Sequence, residues 1–124
     1  DTLENLASAA LKEGRFADGY SILRDALQIA LELNEPFEVA IVLSHVAEVL
    51  AAARNANAAT RLLSAAEAMR ERTGGSREYV IARRDRALAA LRARLNENAF
   101  ATAWEEGRTL TVEQAIELAL DPPN

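Results

Sequence analysis

The sequence contains no cysteine and only one histidine, and it has few prolines (3), glycines (5) or aromatic residues (5% of 124). Without cysteine, a disulfide framework, a thiol nucleophile and a Cys/His zinc site are all excluded. Turn-forming and β-branched residues are too sparse for a sheet fold. Apolar runs of about 18 residues and a basic-then-apolar start are also missing, so we expect a chain that neither spans a membrane nor is secreted.

Helix-forming residues are abundant instead. Ala, Leu, Glu, Arg and Lys make up 72 of the 124 residues, and 27 of these are Ala. With apolar residues at helical spacing, this composition is typical of a nearly all-helical protein. The net charge is −5, and it is unevenly distributed: −5 over residues 1–69, +5 over 70–95 and −5 over 96–124. The overall acidity argues against direct binding of nucleic acid, because phosphate binding needs a positive face.

Apolar periodicity and the turn residues between the periodic segments predict seven helices joined by short connections. The predicted helices span about 2–13, 16–33, 36–54, 58–72, 77–95, 97–107 and 111–120. We expect Gly14 and Gly74 to end the first and fourth helices, and Asn34 with Glu35 to cap the third. Ser76 is the predicted cap of the fifth helix, and Thr111 with Gln114 has the spacing of a capping box.

The sequence repeats itself at an offset of 40 residues, most clearly in its apolar and small positions. The matched pairs include Leu3 with Leu43, Leu6 with Val46, Ala7 with Ala47, Leu23 with Leu63 and Ala26 with Ala66. A further shift of 40 breaks the pattern, so the third unit differs. We therefore predict one all-α domain of stacked antiparallel helix pairs, with repeat 1 over about 1–35, repeat 2 over about 36–75 and a divergent capping unit over about 76–120. The absence of an initial Met suggests a piece of a longer protein.

The first copy resembles the tetratricopeptide repeat. The resemblance rests on Leu6-Ala7, Ala10, Gly14-Arg15-Phe16, Gly19, Leu23 and Ala26-Leu27. The second copy departs from that pattern, since Arg54 stands in place of the turn glycine and the period is longer than the usual 34 residues. Arrays with longer second helices resemble the superhelical region of large bacterial LuxR-type and related ATP-dependent transcriptional regulators.

Two later segments make this resemblance more specific. Residues 59–71 (ATRLLSAAEAMRE) are similar to an "AARLLGAAEALRE" segment of such regulators, and residues 98–115 to their "AFAAAWAEGRALTLEEA" closing motif. The resemblance implies a cytoplasmic, non-catalytic module at the C-terminal end of the regulator's helical array. It also implies that ATP is bound only by a separate domain of the parent protein, so that this chain needs no cofactor. In many members a DNA-binding helix-turn-helix follows this segment.

Four residues are interpreted as structural. Phe100 and Trp104, four residues apart on the sixth helix, form one aromatic ridge, and Gly107 is expected to make a left-handed exit from that helix. Arg84 falls within the apolar stripe of the basic fifth helix. Because a buried guanidinium needs a partner, we expect it to bond helix-end carbonyls or a carboxylate, with Glu67 the favoured one.

The sequence offers little for catalysis. Gly74-Gly75 is an isolated pair without the rest of a phosphate-binding loop, and acidic pairs such as Glu105-Glu106 lie near predicted helix ends. His45 has no cysteine, serine nucleophile or clustered acid near it in the pattern. We therefore predict a protein that is not an enzyme and holds no metal.

Recognition is the remaining class of function. In tetratricopeptide-like arrays the first helix of each unit lines the concave face, which by resemblance places a possible binding surface at Glu4, Ser8, Lys12, Ser44 and Glu48. The resemblance implies an effector-sensing or protein-interaction module of a bacterial transcriptional regulator, with a generic tetratricopeptide-like scaffold in another signalling protein as the alternative. The expected partners are a protein, a domain of the parent protein or a small inducer, and self-association is expected because the array's first helices would lack an upstream neighbour.

Overall fold

A computed structural model of the chain describes residues 2–53, 55–74 and 78–122, and over these residues it is all-helical. Its seven helices are α1 (Thr2–Lys12), α2 (Phe16–Glu32), α3 (Pro36–Ala52), α4 (Ala56–Thr73), α5 (Glu78–Arg94), α6 (Glu97–Arg108) and α7 (Val112–Leu120). The predicted all-α class with about seven helices is confirmed. None of the helices in the described ranges is long and apolar enough to cross a membrane.

Turn residues set most of the helix ends as the sequence predicts. Gly14 and Gly74 adopt φ values of 78° and 74°, which favour glycine, directly after α1 and α4. Thr111 and Gln114 form the predicted capping box of α7. Asn34 was predicted to cap α3, but its φ of 54° makes it the left-handed residue that follows α2. The predicted cap Ser76 lies outside the described residues.

Successive helices pack side by side from α1 to α4, and then the order changes. The helix that packs extensively on α4 after α3 is α6, while α5 makes only small contacts with α3, α4 and α6. In this arrangement α6 packs beside α4, as α3 packs beside α2. Helix α5 therefore does not continue the stack of α1 to α4.

Small residues let α4 approach its neighbours closely. Ala58, Ala59, Ala65 and Ala66 are all buried on this helix, which lies between α3 and α6. Together with the apolar residues of α3, they form the centre of the core. Because these alanines are buried, the alanine-rich composition favours close helix packing as well as helix formation.

Gly107 has a different role from the predicted one. It lies inside α6 and is not among the residues with positive φ, and the helix continues to Arg108. A Cβ atom at this position would overlap the carbonyl oxygen of Arg61 and lie 2.6 Å from the Cβ of Ser64. The glycine is required because the backbones of α6 and α4 touch here.

The aromatic ridge of α6 is present. The rings of Phe100 and Trp104 stack with centroids 6.0 Å apart and an interplanar angle of 15°. Phe100 is buried, Trp104 is half-buried, and the guanidinium of Arg92 lies 4.8 Å from the centroid of the Phe100 ring. The Ser64 hydroxyl donates to the Trp104 carbonyl at 2.6 Å, which ties this ridge to α4.

Candidate functional site

Ionisable side chains are concentrated where α1, α3 and α4 meet α5. We call this surface the polar face and define it by Glu4, Ser8, Ser44, His45, Glu48 and Glu67. Glu4, His45 and Glu67 are buried, together with the neighbouring Arg70. Since burying an unpaired charge is costly, the pairing of these groups decides what the surface can do.

His45 lies between two carboxylates from different helices. Its Nε2 is 3.4 Å from Oε2 of Glu4 on α1, and its Nδ1 is 3.5 Å from Oε2 of Glu48, one turn along α3. Burial lowers the pKa of His45, but its hydrogen bonds to Glu4 and Glu48 outweigh that effect and raise the pKa above its usual range. This environment favours the imidazolium, in which both ring nitrogens can donate to the flanking carboxylates.

The two carboxylates respond in the opposite direction. Burial raises the pKa of Glu4 and of Glu48, yet the hydrogen bond from His45 and the nearby positive charges leave both pKa values below normal. Arg83 of α5 completes the group through a bidentate contact with Glu48. Its Nη2 lies 3.0 Å from Oε1 and its Nε lies 3.2 Å from Oε2. The same Nη2 lies 3.5 Å from the Ser8 hydroxyl. Three helices are thus joined through one charged group.

A second charged group surrounds Glu67 on α4. Its carboxylate accepts hydrogen bonds from Arg70, with Nε at 3.3 Å, and from Arg84 Nη1 of α5 at 2.6 Å. The predicted pair of Arg84 with Glu67 is therefore formed. Arg84 also reaches Asp85, and its side chain keeps 27% of its exposure. It lies at the edge of the helix interface, where Leu91 is the buried residue among the described side chains of α5.

The structure separates the five predicted concave-face residues into three groups. Glu4, Ser8 and Glu48 come together around His45 and Arg83. Ser44 lines the same surface, but its hydroxyl donates to the Ile41 carbonyl at 2.6 Å. Lys12 lies at the exposed end of α1.

Two members of this surface, His45 and Glu67, were not proposed from the sequence as parts of a binding face, and neither was Arg83 of α5, which contacts it. The expectation that no acid clusters near His45 was wrong, since Glu4 and Glu48 flank it. The spacing of His45 and Glu48, three residues apart on one helix, was a usable signal. Glu4 carries no such signal, because 41 positions of sequence separate it from His45.

The space between the side chains of the polar face is small. The cavity between these side chains measures about 20 Å³, which has room for roughly one water molecule. Both nitrogens of His45 face carboxylates, at 3.4 Å for Glu4 and 3.5 Å for Glu48. Within the described residues no group of three or more His, Asp or Glu side chains is placed to hold a metal ion.

The charged group around His45 makes stability depend on pH. Because folding raises the pKa of His45, its contribution is complete below the unfolded value of about 6.5 and is lost as the pH rises through the folded value. Because folding lowers the pKa values of Glu4 and Glu48, their contribution is complete above about pH 4.3 and is lost as the pH falls through the folded values. We expect urea unfolding to show greatest stability between about pH 4.3 and 6.5.

His45→Gln provides the control for the alkaline side of this profile. His45 is the only histidine in the sequence, so the variant removes the one side chain whose usual pKa lies near neutrality. We expect the decline in unfolding free energy above about pH 6.5 to disappear in the variant. Identical profiles for the two proteins in that range would show that folding does not raise the pKa of His45.

No known protein family, no curated protein and no solved structure matches this chain.

Proposed function

We propose that this chain is a non-catalytic effector-sensing or protein-interaction module of a bacterial transcriptional regulator. One observation carries the proposal: the polar face gathers buried charged groups from α1, α3 and α4 under a helix, α5, that is attached by few contacts. The resemblance of residues 59–71 and 98–115 to the helical array of LuxR-type regulators supports the regulatory context. The partner would be a protein, a domain of the parent protein or a small inducer.

The polar face supports recognition because of where its charges lie. Glu48 and Arg83 keep about a quarter to a third of their side-chain exposure, so they can be reached from solvent. Glu4 and His45 lie beneath them and fix the position of the Glu48 carboxylate. A charged group that is held in place in this way binds a complementary partner with less loss of side-chain entropy than a free surface carboxylate.

A generic tetratricopeptide-like scaffold in another signalling protein is the second candidate. The consecutive packing of α1 to α4 favours it, since such stacking is shared by helical arrays with many different outputs. Under this proposal the same polar face would bind a protein partner, and the output domain would be of another type.

The coding sequence on either side of this chain separates the two candidates. A nucleotide-binding loop encoded upstream and a helix-turn-helix encoded downstream are expected for the regulator. If the gene encodes neither, the regulator is excluded and the scaffold remains. A regulator should also lose its response to inducer, with normal abundance, when Glu48→Gln is introduced into the complete protein.

Self-association stays a prediction for this module. Several large apolar side chains of the first helix pair are exposed, namely Leu6, Phe16, Ile29, Leu31 and Leu33. We expect sedimentation velocity to show a dimer that forms as the concentration rises, because pairing would bury this surface. Ile29→Lys with Leu33→Lys should shift the protein to monomer, whereas Leu120→Lys on α7 should not. A wild-type monomer at high concentration would contradict the prediction.

A further inference from the structure

Helix α5 differs in charge from the rest of the chain. It carries five arginines and two acidic residues, whereas the remaining sequence carries nine basic and seventeen acidic residues. A basic helix thus lies on an acidic body. Such complementarity guides one surface to another and weakens as salt screens it.

Helix α5 buries less apolar surface through its described side chains than α3 or α4 does, although Ala87 and Leu88 pack partly buried against the core. Among its described side chains, those of residues 81–94, Leu91 is the one that is buried. Its contacts with α3, α4 and α6 are few, whereas α6 packs extensively on α4. Among these described side chains, the hydrophobic effect therefore anchors α5 through fewer residues than it does α3 or α4.

Polar contacts supply most of the anchors instead. Arg83 donates hydrogen bonds to Glu48 of α3 and to the Ser8 hydroxyl of α1. Arg84 donates to Glu67 of α4. Near the other end of the helix, Arg94 donates to the Ala51 carbonyl of α3. Two consecutive arginines therefore connect α5 to all three helices of the polar face.

We infer that α5 is a displaceable strap over the polar face, and that the partner which replaces it is a helix carrying two consecutive arginines. This inference rests on the proposed function and names the class of partner. If α5 lifts, Glu48 loses Arg83 and keeps His45, while Glu67 loses Arg84 and keeps Arg70. A partner without cations leaves these carboxylates with less compensation, whereas an arginine pair restores the bidentate contact at Glu48 and the single hydrogen bond at Glu67.

Amide hydrogen exchange on the full chain tests the strap. We compare the wild type with Arg83→Glu/Arg84→Glu, each at low salt and at about 1 M NaCl, where charges are screened beyond about 3 Å. Arg86→Glu is the matched control, because Arg86 lies on the same helix and is exposed. In the double variant and in high salt, α5 amides should exchange at least about tenfold faster while α3 and α4 stay protected. Arg86→Glu should behave as the wild type.

A synthetic peptide of residues 78–95 then tests the partner class. Added to the double variant, the natural peptide should bind, and the peptide with Glu at both arginine positions should bind at least about tenfold more weakly. A peptide with Arg86→Glu should bind as the natural one does.

Several outcomes would overturn the inference. The first is that α5 amides in the double variant stay as protected as those of α4. The second is that α3 and α4 lose protection together with α5. The third is that the natural peptide and the peptide with Glu at both arginine positions bind equally well. These results do not depend on the flanking gene, so a failure of the strap and a failure of the proposed function can be told apart.

Discussion

Gly107→Ala is expected to lower the free energy of unfolding by about 3 kcal/mol, although alanine is the better helix former by about 1 kcal/mol. The added Cβ would overlap the Arg61 carbonyl oxygen and approach the Cβ of Ser64 to 2.6 Å. Since the main obstacle is backbone, no side-chain rotation can relieve the overlap. The helices α4 and α6 must separate, which loosens the Ser64 bond to the Trp104 carbonyl as well. Urea denaturation followed by circular dichroism measures the effect.

Gly19→Ala is the matched control, because Gly19 is also a buried glycine inside a helix. A Cβ there would meet the Ala7 carbonyl oxygen at 3.4 Å, an ordinary contact. The gain in helix propensity should therefore remain, and we expect a variant at least as stable as the wild type, by up to about 1 kcal/mol. Similar losses at both positions would show that the close approach of α4 and α6 is not what requires Gly107.

Glu67→Ala is expected to cost about 3 kcal/mol of unfolding free energy. The Glu67 side chain is 8% exposed and that of its partner Arg70 is 10% exposed, so the substitution removes a carboxylate from beside a buried guanidinium. Arg84 loses its bond to α4 in the same step. Thermal and urea unfolding of the variant measure this loss.

Two variants separate the buried pair from ordinary surface charges. Glu71→Ala, one turn further along α4, breaks the exposed pair with Arg108 and should cost less than about 1 kcal/mol. Arg84→Met removes the half-buried partner and keeps Arg70 with Glu67. If it leaves stability unchanged or raises it, the contact of Arg84 with Glu67 is unimportant for the fold. A Glu67→Ala variant as stable as Glu71→Ala would contradict the buried-pair interpretation.

The sequence was sufficient for the helices because their signals are local. Gly14, Gly74 and the Thr111 capping box each mark a helix end within a few residues of chain, so most ends are correct within about two residues. Arg84 with Glu67 was also predictable, because an arginine among apolar helix positions needs an acid within reach. Neither inference required knowledge of how distant segments meet.

Contacts between distant segments explain what was missed. Glu4, His45 and Arg83 lie on α1, α3 and α5, and no sequence spacing connects them. Gly107 was misread for the same reason, since a glycine near a helix end has a local explanation and its real neighbour is α4. The strap position of α5 likewise follows from α6 taking the place beside α4.

The contact of α6 with α4 also bears on how this chain is made during translation. The face of α4 that carries small residues is covered by α6. Its residues are synthesised about 40 positions later, as the hydrogen bond between Ser64 and Trp104 shows. The Tyr20 hydroxyl of α2 donates a hydrogen bond to the carbonyl of Ala119 in α7, which is synthesised later still. A nascent chain that has reached only α5 therefore exposes the apolar side of α4, and the core closes only when α6 and α7 have been translated.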